Sequence, residues 1–269
     1  MSKRAQGDSD AGMGPLGSDI KGALDPVAFA RRCQVDPYPW QVDALRSNDP
    51  REAWICGRQT GKTTAAALLA CHAITYGMPG TNVVLLSPGA RQSGEVFMLA
   101  KHFYAALGRP AGASSERETS LTTEGGSRLI SLPGGTGGAT IRGLNAHLLI
   151  IDEGAQVADE VFTASRPFVA TTHGRILAMS TPWTQEGWFA DAALGRTAGW
   201  TLRKVPASDV LDPDFLASER SSMTPGDYDR EYMNSFEWHS LGLWTEAQWR
   251  ALANPAIKSL AERMRGATS

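Results

Sequence analysis

The chain has 269 residues, 42% hydrophobic and 20% charged, with 26 Lys and Arg against 28 Asp and Glu for a formal charge of −2. A chain of this length buries about 70–75% of its unfolded surface, so it needs no disulfide or metal staple, and its charge balance excludes a polycation that coats nucleic acid by charge alone. Cys33, Cys56 and Cys71 share no C-x-x-C spacing and leave an odd thiol, which argues against a disulfide framework or zinc ribbon and for a reducing, cytoplasmic setting.

Residues 1–22 are Gly, Ser, Asp and Lys with almost no apolar side chains, and are expected to form a flexible leader. No apolar run reaches the roughly 18–20 residues of a membrane span, and the N-terminus lacks the apolar stretch of a signal peptide, so no membrane partner is expected. From there short β-rich runs alternate with helical ones. Glu52–Cys56 reads as a strand and Thr63–Tyr76 as a helix stopped at Gly77. Asn82–Ser87 is a second strand, followed by a helix on which Val96, Leu99, Phe103 and Leu107 recur at 3–4 spacing. Arg128–Leu132 and Ala139–Arg142 are short strand candidates; His147–Asp152 and Arg175–Ser180 are the most apolar strands. Apolar strands separated by helices predict a mostly parallel sheet buried on both faces, the α/β architecture of nucleotide-binding domains. Beyond Trp183 the chain turns helical and aromatic, with six of the eight tryptophans, which at helical spacing are expected to pack rather than stack on bases. The expected division is a core over 23–183, a closing subdomain over 184–254 and a tail over 255–269.

Four motifs carry chemistry. Cys56-Gly-Arg-Gln-Thr-Gly-Lys-Thr-Thr64 stands between a strand and an Ala/Leu-rich helix, where a phosphate-binding loop belongs. There the backbone of Gly57, Arg58, Gln59, Thr60 and Gly61 and the helix start at Lys62, Thr63 and Thr64 would bind an anion. Lys62 would reach the β- and γ-phosphates of ATP and the Thr63 hydroxyl would meet Mg²⁺. The match to G-x-x-x-x-G-K-[ST] is imperfect, because Cys56 stands where the first glycine belongs. The second motif is Asp152-Glu153 at a strand end, 90 residues after Lys62. In ATPases whose sheet carries an added strand, such a pair divides the work: Asp152 orders the metal and Glu153 polarises the attacking water. The third is Ser180-Thr181-Pro182, one strand later, where a small polar residue can sense the γ-phosphate. The fourth is Tyr38-Pro-Trp-Gln41, whose glutamine can pair with adenine while an aromatic packs on the base; it also reads as a plain helix start after proline. Arg58, inside the loop, and Arg142, ten residues before Asp152, are both candidates for an arginine delivered to the transition state.

Taken in order, P-W-Q, G-R-Q-T-G-K-T-T, I-R-G-L-N-A-H-L-L-I-I-D-E and S-T-P resemble the ATPase motor domain of the large terminase subunit of tailed bacteriophages. The resemblance runs from about Tyr38 to Trp244 and includes Tyr228-Asp-Arg-Glu-Tyr232, similar to the segment that closes that domain. It accounts for the missing first glycine, since terminases carry a deviant loop with an arginine before Q-x-G-K-T-T. It implies an additional-strand, RecA-like P-loop fold and a motor that hydrolyses Mg-ATP to drive double-stranded DNA into a procapsid. Gln41 would lie at adenine, Arg58, Lys62 and Thr63 at the phosphates and Mg²⁺, Asp152 at the metal, and Glu153 would be the catalytic carboxylate. Ser180, Thr181 and Pro182 would couple hydrolysis to movement, and Arg142 would suit a finger inserted into a neighbouring subunit. The implied partners are further copies in a ring, the portal protein, the small terminase subunit and a nuclease on a separate chain, in the host cytoplasm and transiently at the procapsid portal.

A complete large terminase adds an RNase H-like nuclease domain, and about 25 residues follow Trp244 here, so no DNA cleavage is expected of this chain. Two other readings remain: a superfamily 2 helicase-like DNA-dependent ATPase, against which stands the missing second RecA-like domain, and a non-hydrolysing nucleotide-bound DNA-binding subunit, against which stand Lys62, Thr63, Asp152 and Glu153.

Overall fold

The computed structural model describes residues 14–133 and 143–236, with the backbone alone at 90–93. Three short helices come first: α1 (Pro15–Leu24), α2 (Pro26–Arg32) and α3 (Pro39–Arg46). Each opens on a proline, tolerated there because the first N–H groups of a helix lack intrahelical partners. Of the leader expected over residues 1–22, the part from Pro15 is corrected, being helical; residues 1–13 lie outside the described residues. The contacts of α1 to other helices hold it in place. Asp19 accepts from Arg32 Nη1 at 2.8 Å and from Tyr76 Oη at 2.7 Å, and buried Gly22 offers its carbonyl to His72 Nε2 at 3.1 Å.

The remaining elements are β1 (Arg51–Cys56), α4 (Lys62–Tyr76), β2 (Asn82–Ser87), α5 (Ala90–Ala106), β3 (Ser115–Glu116), β4 (Ser120–Thr122), β5 (Arg128–Pro133) and β6 (Leu148–Asp152). They continue with α6 (Asp159–Ser165), β7 (Arg175–Ser180), α7 (Trp188–Ala193), β8 (Thr201–Val205), α8 (Pro213–Ser222) and α9 (Pro225–Met233). One sheet holds the strands in the order β3-β4-β5-β2-β6-β7-β1-β8, parallel from β5 to β8 and antiparallel at β3 and β4. This is a mixed, mostly parallel α/β sheet of the P-loop type.

Successive strand residues face opposite sides, and both sides are buried. Trp54, Cys56, Val83, Leu85, Leu148, Ile150, Leu177 and Met179 face the layer built on α2, α3, α4 and α5. Ala53, Ile55, Val84, Leu86, Leu149, Ile151, Ile176 and Ala178 face the layer that includes Val161, Phe168, Trp188 and Phe189. That double burial is what makes these strands read as unbroken apolar runs.

Two strands, β6 and β7, stand between β2 and β1, so the β1–α4–β2 crossover spans them. The carboxyl ends of β1, β7 and β6 then lie side by side: Ile55 is in register with Ser180, and Asp152 with Met179. In open parallel sheets ligands bind beyond this edge.

The boundary expected at residue 183 does not divide the sheet, because β8 continues it along β1 from Glu52↔Thr201 to Cys56↔Val205. Thr201, Leu202 and Lys204 are exposed on this edge strand, which removes the apolar signature. Beyond it α8 and α9 close a small cluster of Ala207, Leu216, Tyr228 and Tyr232. Among the late tryptophans, Trp188 is buried and stacks on Phe162 at 3.9 Å and 10°, with Trp200 tilted against both; Trp183 is exposed. Trp238, Trp244, Trp249, the strand candidate Ala139–Arg142 and the tail lie outside the described residues.

Candidate active site

The turn from β1 into α4 needs left-handed backbone at Gln59 (φ +57°) and Gly61 (φ +88°). A side chain at Gly61 would also collide with Gln41, whose Nε2 lies 2.7 Å from the place of a Cβ. Thr60 is fully buried and its hydroxyl donates to the Gly57 carbonyl at 2.9 Å, closing the loop on itself. The first half of the loop is stitched to the far end of the chain: Gly57 N donates to Val205 O at 2.9 Å and Arg58 N to Glu231 O at 2.7 Å. A Cβ at Gly57 would fall 2.8 Å from the Tyr232 carbonyl, so the close approach of α9 calls for glycine there. Thr63 and Thr64, half-buried, form the first turn of α4 with Lys62, where the helix N-terminus favours an anion.

Lys62 reaches across to β6. Its Nζ lies 2.7 Å from Glu153 Oε1, with the two side chains only 15% and 21% exposed. The other carboxylate oxygen of Glu153 accepts from Ser180 Oγ at 3.3 Å. Glu153 itself sits at φ +49°, unusual for a residue with a side chain, and its N–H is held by Asp152 Oδ1 at 2.9 Å. Backbone of this kind costs on the order of 1–3 kcal/mol and persists where surrounding contacts over-determine it. Asp152 is 6% exposed; burial, and after it the neighbouring Glu153 charge, pushes its carboxyl up to about 7 against the pull of Lys62. Two adjacent carboxylates thus occupy different environments, one buried and one reached by a cation and a hydroxyl.

These groups open into a cleft of about 390 Å³ lined by Arg58, Gln59, Lys62, Glu153, Gln156, Thr181, Trp183 and Glu231, with Pro182 buried behind it. A larger cleft of about 660 Å³ opens at the opposite end of the sheet, among Arg51, Arg166 and His173; it has no carboxylate in its lining and no phosphate loop. The convergence of chemistry, rather than volume, identifies the site.

Lys62, Asp152, Glu153 and Ser180 are brought together as the motifs suggest. Arg58 lines the same cleft but is already paired, its Nε lying 2.5 Å from Glu231 Oε2 on α9. Gln41 departs from expectation. It is 2% exposed, its Oε1 accepts from Tyr38 N at 2.9 Å and its Nε2 donates to Gly61 O at 2.9 Å, so the carboxamide is spent on backbone instead of an open base pocket. Arg142 lies outside the described residues. Trp183 and Gln156 belong to the surroundings of the loop without any motif to mark them, and Trp40 and Glu231 join them from Tyr38–Gln41 and Tyr228–Tyr232, motifs that assign neither a role of its own; Trp183 carries the Arg230 guanidinium 5.3 Å above its ring, beside Glu231.

No curated protein sequence matches this chain. Among solved structures it is similar to the ATPase domain of the large terminase of Thermus phage P74-26, with 20% identity and a TM-score of 0.68 over 77% of this chain and 97% of that one. It is also similar to the large terminase of a thermophilic bacteriophage in complex with ADP, at 12% identity and TM-score 0.59 over 80% of this chain, where it spans about half (53%) of the larger protein. Saccharomyces cerevisiae Dbp5 bound to RNA and ADP BeF3 shares the fold at 14% identity and TM-score 0.50, over 76% of this chain and 53% of that one. At these identities the likeness establishes the fold. The model of the family described as terminase large subunit, T4likevirus-type, N-terminal, matches residues 55–251, from the end of β1 past α9, and the chain belongs to that family of large terminase subunits.

Proposed function

We propose that the chain is the Mg-ATP-hydrolysing motor of viral DNA packaging, translocating double-stranded DNA into a procapsid. The observation that carries this reading is the convergence of Lys62, Glu153 and Ser180 at the carboxyl edge of the sheet, with Asp152 buried beside them. Without nucleotide, Lys62 and Glu153 neutralise one another. A triphosphate seated on the loop draws Lys62 to its β- and γ-phosphates, and Glu153 is left with the Ser180 hydroxyl and a free oxygen to take a proton from water in line with the γ-phosphate. Ser180, at the end of β7, feels that change directly, and Thr181 and Pro182 pass it toward Trp183 and α9.

The residues fit a divalent cation. Asp152 is a buried carboxyl beside a second carboxylate, a state that favours a bound cation, and Thr63 opens the helix that follows the loop. Together they would hold Mg²⁺, which when bound neutralises the phosphate oxygens. In the assembly, we place further copies of the chain in a ring, with Arg142 or Arg58 supplying the transition-state cation, and the portal protein and the small terminase subunit as partners in the host cytoplasm.

The test is ATP turnover by the purified chain with Mg²⁺, with and without linear double-stranded DNA. Turnover that rises with DNA is expected. Turnover indifferent to DNA would contradict a translocating motor, and none under either condition would favour a nucleotide-bound adaptor.

A further inference from the structure

Trp40 and Gln41 converge on the outer side of the phosphate loop. Trp40 Nε1 donates to the Thr60 carbonyl at 3.1 Å, and Gln41 Nε2 to the Gly61 carbonyl at 2.9 Å. The donors are consecutive in sequence, and so are the acceptors. Both donors are fixed from behind. Gln41 stands at the third position of α3 and its Oε1 is held by the backbone N–H of the capping residue Tyr38. The Trp40 ring packs edge-on against Trp54, with centroids 5.5 Å apart and planes at 84°. Trp54 is fully buried and is itself anchored by its Nε1 donating to Glu52 Oε2 at 3.0 Å.

In a trans peptide the carbonyl and the N–H that follows it point to opposite sides of the chain. Holding the Thr60 carbonyl against α3 therefore turns the Gly61 N–H away from α3, and holding the Gly61 carbonyl does the same for the Lys62 N–H. Those are the two amides at the G-K step, where a phosphate is expected. Glycine at φ +88° lets the adjoining peptide planes rotate with little steric resistance, so their orientation has to be imposed from outside.

We propose that Trp40 and Gln41 form a two-donor brace that sets the direction of the Gly61 and Lys62 amides, making Trp40 a positioning residue for nucleotide binding. The inference rests on the nucleotide-binding reading of the loop. It also replaces the reading of Gln41 as an adenine contact, because the carboxamide that would read the base is engaged at both ends.

Trp40→Phe keeps an aromatic ring beside Trp54 and removes the indole N–H together with part of the bicyclic ring. The expected result is a rise of about tenfold in Kd for ADP by titration calorimetry and in KM for ATP, with kcat within about twofold, measured well below the variant's own thermal midpoint so that the protein is folded. Gln41→Glu keeps the acceptor for Tyr38, removes the donor to Gly61 and adds a buried negative charge beside the loop, so its base preference rather than its affinity alone is the readout. It is expected to weaken ADP by a similar factor while leaving the ratio of ADP to GDP affinity where it stands in the wild type. Trp40→Phe with unchanged Kd and KM would overturn the brace. A Gln41→Glu protein that loses the ADP-to-GDP preference would place Gln41 on the base instead, and it decides the matter if Trp40→Phe does not fold. A wild-type chain that binds no ADP and turns over no ATP would overturn the nucleotide reading itself.

Discussion

Asp152 and Glu153 are neighbours in sequence with unlike surroundings, and the division of work proposed for them rests on that difference. The buried Asp152 accepts from the Glu153 N–H, whereas Glu153 is turned by its left-handed backbone toward Lys62 and Ser180. If Asp152 is the metal residue, Asp152→Asn should leave metal-free ADP binding intact and abolish the tightening that Mg²⁺ confers; calorimetric titration with and without Mg²⁺ measures both, and a retained Mg²⁺ effect would contradict the assignment. Lys62, Asp152, Glu153 and Ser180 were legible in the sequence because each ends a strand or starts a helix that hydrophobic pattern alone locates. The partners of Gln41 and Arg58 were not. Gln41 meets a carbonyl 20 residues away and Arg58 a carboxylate 173 residues away, contacts made by tertiary folding that leave no periodic trace.

At the level of elements, the sheet divides into strands that announce themselves and strands that do not. β6 is buried along its whole length, with Leu149 and Ile151 on one face and Leu148 and Ile150 on the other. The predicted cost of Ile150→Ala is about 2–5 kcal/mol, the range for emptying a packed site, while Leu202→Ala on β8, where the side chain is 38% exposed, should fall within about 0.5 kcal/mol. Urea midpoints at equal slope compare them; equal losses would contradict the burial of β6 relative to β8. The same contrast explains why β6 was readable and β8 was not. An edge strand with one exposed face and charges at Arg203 and Lys204 resembles a loop in composition. α1 was missed for a related reason, since its stability comes from Arg32, His72 and Tyr76 on other helices rather than from its own sequence.

Over the whole molecule, the near-zero net charge and the position of the site fit together. Under the proposed function the chain must release DNA repeatedly, and each phosphate contact adds salt-dependent affinity, so a net charge of −2 suits a transient grip better than a polycation would. The nucleotide cleft lies where β1, β6 and β7 end, and its wall is completed by Glu231 of α9, the last described helix, which meets the loop there. The central claim is that this edge hydrolyses ATP through Glu153. Steady-state ATP turnover of Glu153→Gln, beside its Kd for ADP, tests it most directly: a fall of about 10²–10⁴-fold with ADP binding retained is the predicted result, and turnover at the wild-type rate would contradict it.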